Sequence, residues 1–384
     1  MTEGEFFPRQ EDSVTDRLSP LHDRHEAAGA SFTDFAGWRM PVRYTSDLAE
    51  HHAVRQAAGL FDLSHMGEIA VFGPAAGDAL DHALAGRLSA IAEGQAKYSL
   101  LLADDGGVID DLVVYRTGAD RFVVVANAAN REVVAAELIK RAAGFDVEVQ
   151  DVSDDIALVA LQGPRSEEIV REVDGFDIPG LDDLRYYRVV TGDFRGNEVL
   201  VARTGYTGED GFEFYLAPDT APLLWDALLE TGAGAGLVPA GLACRDTLRL
   251  EAGMPLYGHE LGRDIRPAQA GLGRVVAFAT KGDFVGRAAL ENAPDETRVL
   301  VGLAAEGRRA GRAGYAVLAT DTGAADAAVG EITSGALSPT LGHPIALAYV
   351  DRAHSAVGTA LDLDVRGTRV PATVVPLPFY RKTK

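Results

Sequence analysis

The chain has 384 residues, 47% of them hydrophobic and 24% charged, which is enough apolar material to bury two or three cores. A formal net charge of −21 argues against a nucleic-acid or anionic-membrane partner, because such a field repels both. The single cysteine, Cys244, excludes an internal disulfide framework and a cysteine-based metal cage.

The opening stretch, about residues 1–18, reads as a polar leader. MTEGEFFPRQEDSVTDRL has neither a basic n-region nor an apolar h-region, and no run in the chain approaches membrane-spanning length. A cytoplasmic protein without a membrane partner is expected. LSPLHDRHEAAG then has a helical pattern, and Phe32, Phe35, Trp38, Met40 and Tyr44 follow as a dense aromatic segment suited to core packing or to a cavity wall. The stretch from Asp47 to Ala58 is predicted as a helix capped by Ser46 and ended by Gly59.

From Glu68 the chain repeats itself. EIAVFGPAAGDALDHAL and IALVALQGPRSEEIVREV each give an apolar strand, Gly-Pro, then a helix. Each is followed by a hairpin carrying Arg-Thr-Gly and by a second helix, so each half reads strand, helix, strand, strand, helix. That order is most of a ferredoxin-like unit. Two such halves, about 68–142 and 156–231, predict an α+β body with a cleft between them.

Three stretches of this body carry candidate chemistry. In GGVIDDLVVYRTGADRFVVVANAAN, alternation puts Ile109, Asp111, Val113 and Tyr115 on one strand face and Asp110, Leu112 and Val114 on the other. Both faces are otherwise apolar, so at least one adjacent carboxylate is expected where water is scarce; the alternative is an exposed turn end after Gly106-Gly107. In RTGYTGEDGFE, glycines at 205, 208 and 211 allow close backbone approach to a ligand, without the spacing of a dinucleotide fingerprint. Glu213 there sits among Phe212, Phe214 and Tyr215, either as a functional carboxylate or as an edge-strand charge facing water. In GLACRDTLRLEAGMPLYGHEL, Arg245 and Arg249 are four apart on one helix face, which seeks anions unless carboxylates separate them; Asp246 can pair with Arg249 but leaves Arg245 free. Cys244 reads as a small buried filler. His51, His52 and His65 lack ligand spacing, so no metal is expected.

From Gly262 to Ala289 five basic residues stand against two acidic ones, a candidate docking surface for an acidic partner. After a linker near Asn292, residues 297–380 read as short strands broken by Gly, Asp and Pro, predicting an antiparallel barrel or jelly roll.

Several motifs in order, DFAGWRMPVRY, EHHAVRQAAGLFDLSHMGEI, GGVIDDLVVYR, RTGYTGEDGFE, ACRDTLRLEAGMPLYGHEL, GEITSGALSPTLG and LPFYRK, resemble the aminomethyltransferase, or T-protein, family of the glycine cleavage system. The resemblance runs from about Leu18 to Tyr380. It implies a folate-binding body over 19–291, made of the two ferredoxin-like halves, and a C-terminal β-barrel domain, in a cloverleaf arrangement. It implies transfer of a methylene carbon from the aminomethyl group on the dihydrolipoyl arm of a lipoylated H-protein to tetrahydrofolate, with release of ammonia and with no metal or flavin. Asp111 matches the family's catalytic aspartate. Met66, Tyr98, Asn127, Tyr206, Glu213 and Arg245 match folate-site positions, with Glu213 on the pterin ring. The alternative activity on the same fold is tetrahydrofolate-dependent demethylation of a small methylated substrate. A flavin-linked relative is disfavoured because no dinucleotide-binding segment precedes the body.

Overall fold

The computed structural model describes residues 17–320 and 328–382. The expected leader therefore lies outside the described residues except for Arg17–Leu18, which pair in parallel with Trp38 and Arg39. Besides a three-stranded sheet of Arg17–Leu18, Trp38–Arg43 and Ser31–Phe35, two larger sheets form the body, each built mainly on one repeat. The first has five strands in the spatial order Gln95–Leu102, Val108–Gly118, Arg121–Ala126, Gly67–Phe72, Glu148–Asp151. The second has seven, in the order Phe176–Asp177, Val189–Phe194, Asn197–Ala202, Gly211–Leu216, Ala157–Gln162, Ala58–Asp62, Leu237–Pro239.

Alternating apolar side chains let each sheet bury both faces. The outer face of the first packs under the helices Ala76–Ala83 and Arg131–Arg141, with Leu80, Val134 and Leu138 against Ile69, Val114 and Val124. The outer face of the second packs under Ser166–Glu172 and Ala221–Gly232 through Ile169, Leu224 and Trp225. The inner faces meet each other through Phe61, Tyr115, Val125, Leu158 and Tyr215. The removal of these apolar surfaces from water, at roughly 25 cal/mol per Å², holds the halves together.

The halves also exchange strands. Ala58–Asp62 immediately precedes the first repeat yet pairs antiparallel with Ala157–Gln162 of the second. Glu148–Asp151 precedes the second repeat yet pairs antiparallel with Gly67–Phe72 of the first. Each half thus completes its sheet with chain that leads into the other.

Local readings are corrected at two points. The helix runs Asp47–Gln56 with the Ala49 amide donating to Ser46 Oγ at 3.1 Å, but Gly59 does not end it. Gly59 lies inside the strand Ala58–Asp62, where a Cβ would stand 2.5 Å from Val54. Each half also carries strands beyond the expected pattern, Gln95–Leu102 in the first and Phe176–Asp177 and Val189–Phe194 in the second.

The C-terminal part is a closed barrel of six strands, in the order Arg298–Ala305, Pro344–Asp351, Ala328–Leu337, Ala316–Ala319, Ala360–Val365, Thr368–Val375. Closure leaves no unpaired edge and decides between barrel and jelly roll. The helix Leu242–Glu251 joins barrel to body: Leu250 packs on Ala336, Ile345 and Leu347, and Arg249 donates to Ser334 Oγ at 2.9 Å.

Candidate active site

A cavity of about 410 Å³ opens between the inner sheet faces and the helix Leu242–Glu251. That size suits a small-molecule ligand. Met66, Tyr98, Asp111, Asn127, Tyr206, Glu213 and Arg245 all line it, although they come from distant stretches of chain.

One wall is the carboxylate pair. Strand pairing runs Leu100 to Asp111 and Leu101 to Asp110, then jumps from Leu102 to Val108. Ile109 is therefore the extra residue of a β-bulge, and the simple alternation fails there. It is buried under the outer helices with Leu112 and Val114 rather than sharing the face of Asp111. Asp111 faces the cavity, where its Oδ2 accepts the Tyr98 hydroxyl at 3.0 Å and its Oδ1 accepts the Asn127 side-chain amide at 2.9 Å. Burial raises its carboxyl above the ordinary value, opposed by those two hydrogen bonds. Asp110 is fully buried behind it. Its oxygens accept the Asn127 backbone and side-chain amides at 3.0 and 2.8 Å and the Asn130 amide at 2.7 Å. Burial, then the charge of Asp111, pushes Asp110 up to about 7. The exposed-turn reading of this pair is excluded.

The facing wall carries Glu213. Its strand, Gly211–Leu216, lies between Asn197–Ala202 and Ala157–Gln162, so the edge-strand reading fails. Glu213 Oε2 accepts the Thr204 hydroxyl and lies 3.2 Å from the Tyr115 hydroxyl, which in turn accepts from Tyr215 at 3.2 Å. Oε1 has no hydrogen-bond partner among the described residues. Sequence reasoning missed Thr204 and Tyr115, although Thr204 stands in the RTGYTG stretch and Tyr115 on the strand of Asp111.

Gly205 of that stretch lines the cavity, and the glycines also serve packing. A Cβ on Gly205 or Gly211 would meet the Gln162 side chain at 2.0 or 2.4 Å. The loop folds onto Gln162, whose amide donates to the Thr204 carbonyl at 3.0 Å and whose oxygen accepts from Thr207 at 2.9 Å. This packing fixes Thr204 beside Glu213.

Arg245 and Arg249 part company. Arg249 is buried and bonds Asp246 at 2.8 Å and Glu260 at 2.9 Å. Arg245 points into the cavity with its guanidinium 4.6 Å from the centre of the Tyr206 ring, and no carboxylate bonds it among the described residues. Burial lowers its pKa from the ordinary arginine value. The Gly241 amide that begins its helix donates to Glu50 at 2.9 Å, so the helix at Asp47–Gln56 sets the position of Arg245. The Tyr206 ring is held by its hydroxyl on the Pro255 carbonyl. His65, which also lines the cavity, is buried; burial, with the nearby Arg245 charge adding to it, lowers its pKa to about 4. Cys244 is buried, its thiol on the Gly241 carbonyl at 3.2 Å.

Residues 21–280 match the GCVT N-terminal domain family, and residues 298–381 match the glycine cleavage T-protein C-terminal barrel domain family. An aminomethyltransferase of Cutibacterium acnes is 61% identical over 376 residues, covering 96% of this chain and 100% of that one. Another from Saccharopolyspora erythraea is 56% identical over 368 residues, covering 95% and 98%. The crystal structure of the glycine cleavage system aminomethyltransferase T from Bartonella henselae superposes with a TM-score of 0.87 at 37% identity, covering 96% of this chain and 100% of that one.

The chain belongs to the T-protein family, the aminomethyltransferases of the glycine cleavage system. It is thus a transferase enzyme, and the cavity lies wholly within the part that matches the T-protein N-terminal domain. No helix among the described residues of this T-protein is long and apolar enough to cross a membrane. Of the five basic residues at 262–289, Arg263 and Arg274 are exposed, while Arg266, Lys281 and Arg287 are partly buried and held by neighbours. Arg266 pairs with Glu296 at 2.8 Å and Arg287 with Glu291 at 2.8 Å. Lys281 donates to the carbonyls of Asp81, Leu84 and Gly86, and burial lowers its pKa to about 8. Three of the five cations are therefore engaged within the fold.

Proposed function

We propose that the donor of the aminomethyl group is the dihydrolipoyl arm of a lipoylated H-protein, that the acceptor is tetrahydrofolate, and that ammonia is released, in the cytoplasm. The observation that carries this reading is the gathering of Asp111, Glu213 and Arg245 around one cavity. A pterin edge presents a ring N–H beside an exocyclic amine, a pair of donors that a carboxylate accepts. Glu213 is such an acceptor, with Oε2 oriented by Thr204 and Tyr115 and Oε1 left for the ligand. Met66, Tyr98 and Tyr206 supply flat or polarisable surface for the ring, and Asn127 a polar contact. Asp111, held by Tyr98 and Asn127, orients the attacking folate nitrogen and stabilises the positive charge that grows as the carbon transfers. Arg245 meets an anionic group of the bound substrate.

The proposed domain limits are a folate-binding body over 19–291 and a barrel over 297–380; in their support, the helix Arg287–Glu291 is followed by the first barrel strand, Arg298–Ala305. Demethylation of a small substrate has no specific observation in its favour. The test is ammonia release from aminomethylated H-protein with and without tetrahydrofolate. Strong folate-dependent release is expected. Folate binding by calorimetry without release would keep the pterin site and move the donor elsewhere.

A further inference from the structure

We propose that Asp110 is a positioning residue: it holds the Asn127 side chain with its NH2 group toward Asp111, and so fixes the direction in which the Asp111 carboxylate meets the reacting nitrogen. The inference rests on the role given to Asp111 above. Asp110 has no exposed surface and does not line the cavity, so it acts through its neighbours or not at all.

Its partners make it a hub. One oxygen of Asp110 takes the Asn127 backbone amide at 3.0 Å, and the other takes the Asn127 side-chain nitrogen at 2.8 Å. Two acceptors on one residue admit only one orientation of the Asn127 amide, NH2 inward. The same nitrogen reaches Asp111 Oδ1 at 2.9 Å and the Asp111 carbonyl at 3.3 Å. With the amide turned over, its oxygen would face the Asp111 carboxylate and repel it.

Asn130 completes the unit, bonding Asp110 at 2.7 Å and the carbonyl of Ile109, the bulged residue, at 3.2 Å. The bulge, the buried carboxylate and the turn at 127–130 are thus tied together. Ala128 and Ala129 of that turn line the cavity, so Asp110 also sets that piece of wall. No cation bonds Asp110 among the described residues. The arrangement thus buries the Asp110 carboxyl against amide donors alone.

The test is a kinetic double-mutant cycle on the full chain with aminomethylated H-protein and tetrahydrofolate. Asp110→Asn is expected to lower kcat by about tenfold or more while KM for folate moves less than about threefold. In an Asp111→Asn background the same change is expected to cost less than about twofold, because its effect passes through Asp111. Equal losses in the two backgrounds, or an unchanged kcat, would overturn the proposal. Should Asp110→Asn fail to fold, Asn127→Ala keeps Asp110 and removes the bridge. It is then read by the same cycle, with equal losses in both backgrounds again overturning the proposal. If Asp111→Asn alone keeps full turnover, the role of Asp111 fails instead, and the two failures are told apart.

Discussion

The Arg245 guanidinium lies 4.6 Å from the centre of the Tyr206 ring, stacked on an aromatic face and bonded to no carboxylate among the described residues. A planar cation held this way is pre-oriented for an anion entering the cavity. Arg245→Gln is expected to weaken folate binding by about tenfold, the size of one charge-assisted hydrogen bond. Arg245→Lys should recover only part of it, since an ammonium neither stacks nor forks. Calorimetric titration decides, and equal affinity in the glutamine variant would remove Arg245 from the site.

In the proposed function Glu213 offers its second oxygen to the ligand, while Thr204 and Tyr115 hold the first. In Glu213→Gln one acceptor becomes a donor, which then faces either the ligand's N–H groups or the Thr204 hydroxyl. Weaker folate binding, by about tenfold or more, is the expected result. Thr204→Val should produce a smaller loss of the same kind, because it frees the carboxylate to turn. Unaltered binding in both variants would place the pterin elsewhere.

Asp111 is assigned to transfer and not to affinity. Asp111→Asn should leave folate affinity nearly intact and lower turnover by at least about tenfold, within the usual range for a catalytic carboxylate. Binding and rate measured on the same preparation separate the two. A variant that binds poorly but turns over normally once saturated would reverse the assignment.

Glu251 makes an acid-stability prediction. It bonds His51 and Arg55 of the helix Asp47–Gln56 and Ser338 and Thr340 of the barrel, so it ties three parts of the fold together. Burial raises its carboxyl, but the hydrogen bond and charge of His51, then Ser338 and Arg55, outweigh that and hold it down to about 2. A carboxyl lowered on folding adds stability above its unfolded value, and that stability is lost as pH falls from about 4.5 through about 2. The displacement is worth about 3 kcal/mol. Glu251→Gln should therefore unfold at lower urea than the parent at pH 7, with the gap closing as pH falls below about 4.5. A gap constant with pH would mean that its ionisation does not bear on the fold.

Much of the site was legible before any coordinates. The pair Asp110 and Asp111, with Glu213 and Arg245, stood out because each put a charge into an apolar or like-charged setting, and only the family resemblance singled out Asp111. The free state of Arg245 followed from counting partners on one helix face, and the structure pairs Arg249 with Asp246 as that count required. The packing role of Gly205 and Gly211 was not legible because their neighbour, Gln162, is 43 residues before Gly205 in the chain, and only packing brings it there.

The sequence by itself determined the repeat, the α+β class and the residues that carry charge into the core, since periodicity and composition are local properties of the chain. Tertiary structure decided three things that no local pattern contains. It exchanged Ala58–Asp62 and Glu148–Asp151 between the sheets, because a strand pairs with whichever edge lies beside it in space. It inserted the bulge at Ile109, which shifts side-chain parity there and puts Ile109 under the outer helices with Leu112 rather than on the cavity face with Asp111. And it brought Asp111 and Glu213 to opposite walls of one cavity, a distance set by the packing of Tyr115, Val125, Leu158 and Tyr215 between two sheets that are far apart in sequence.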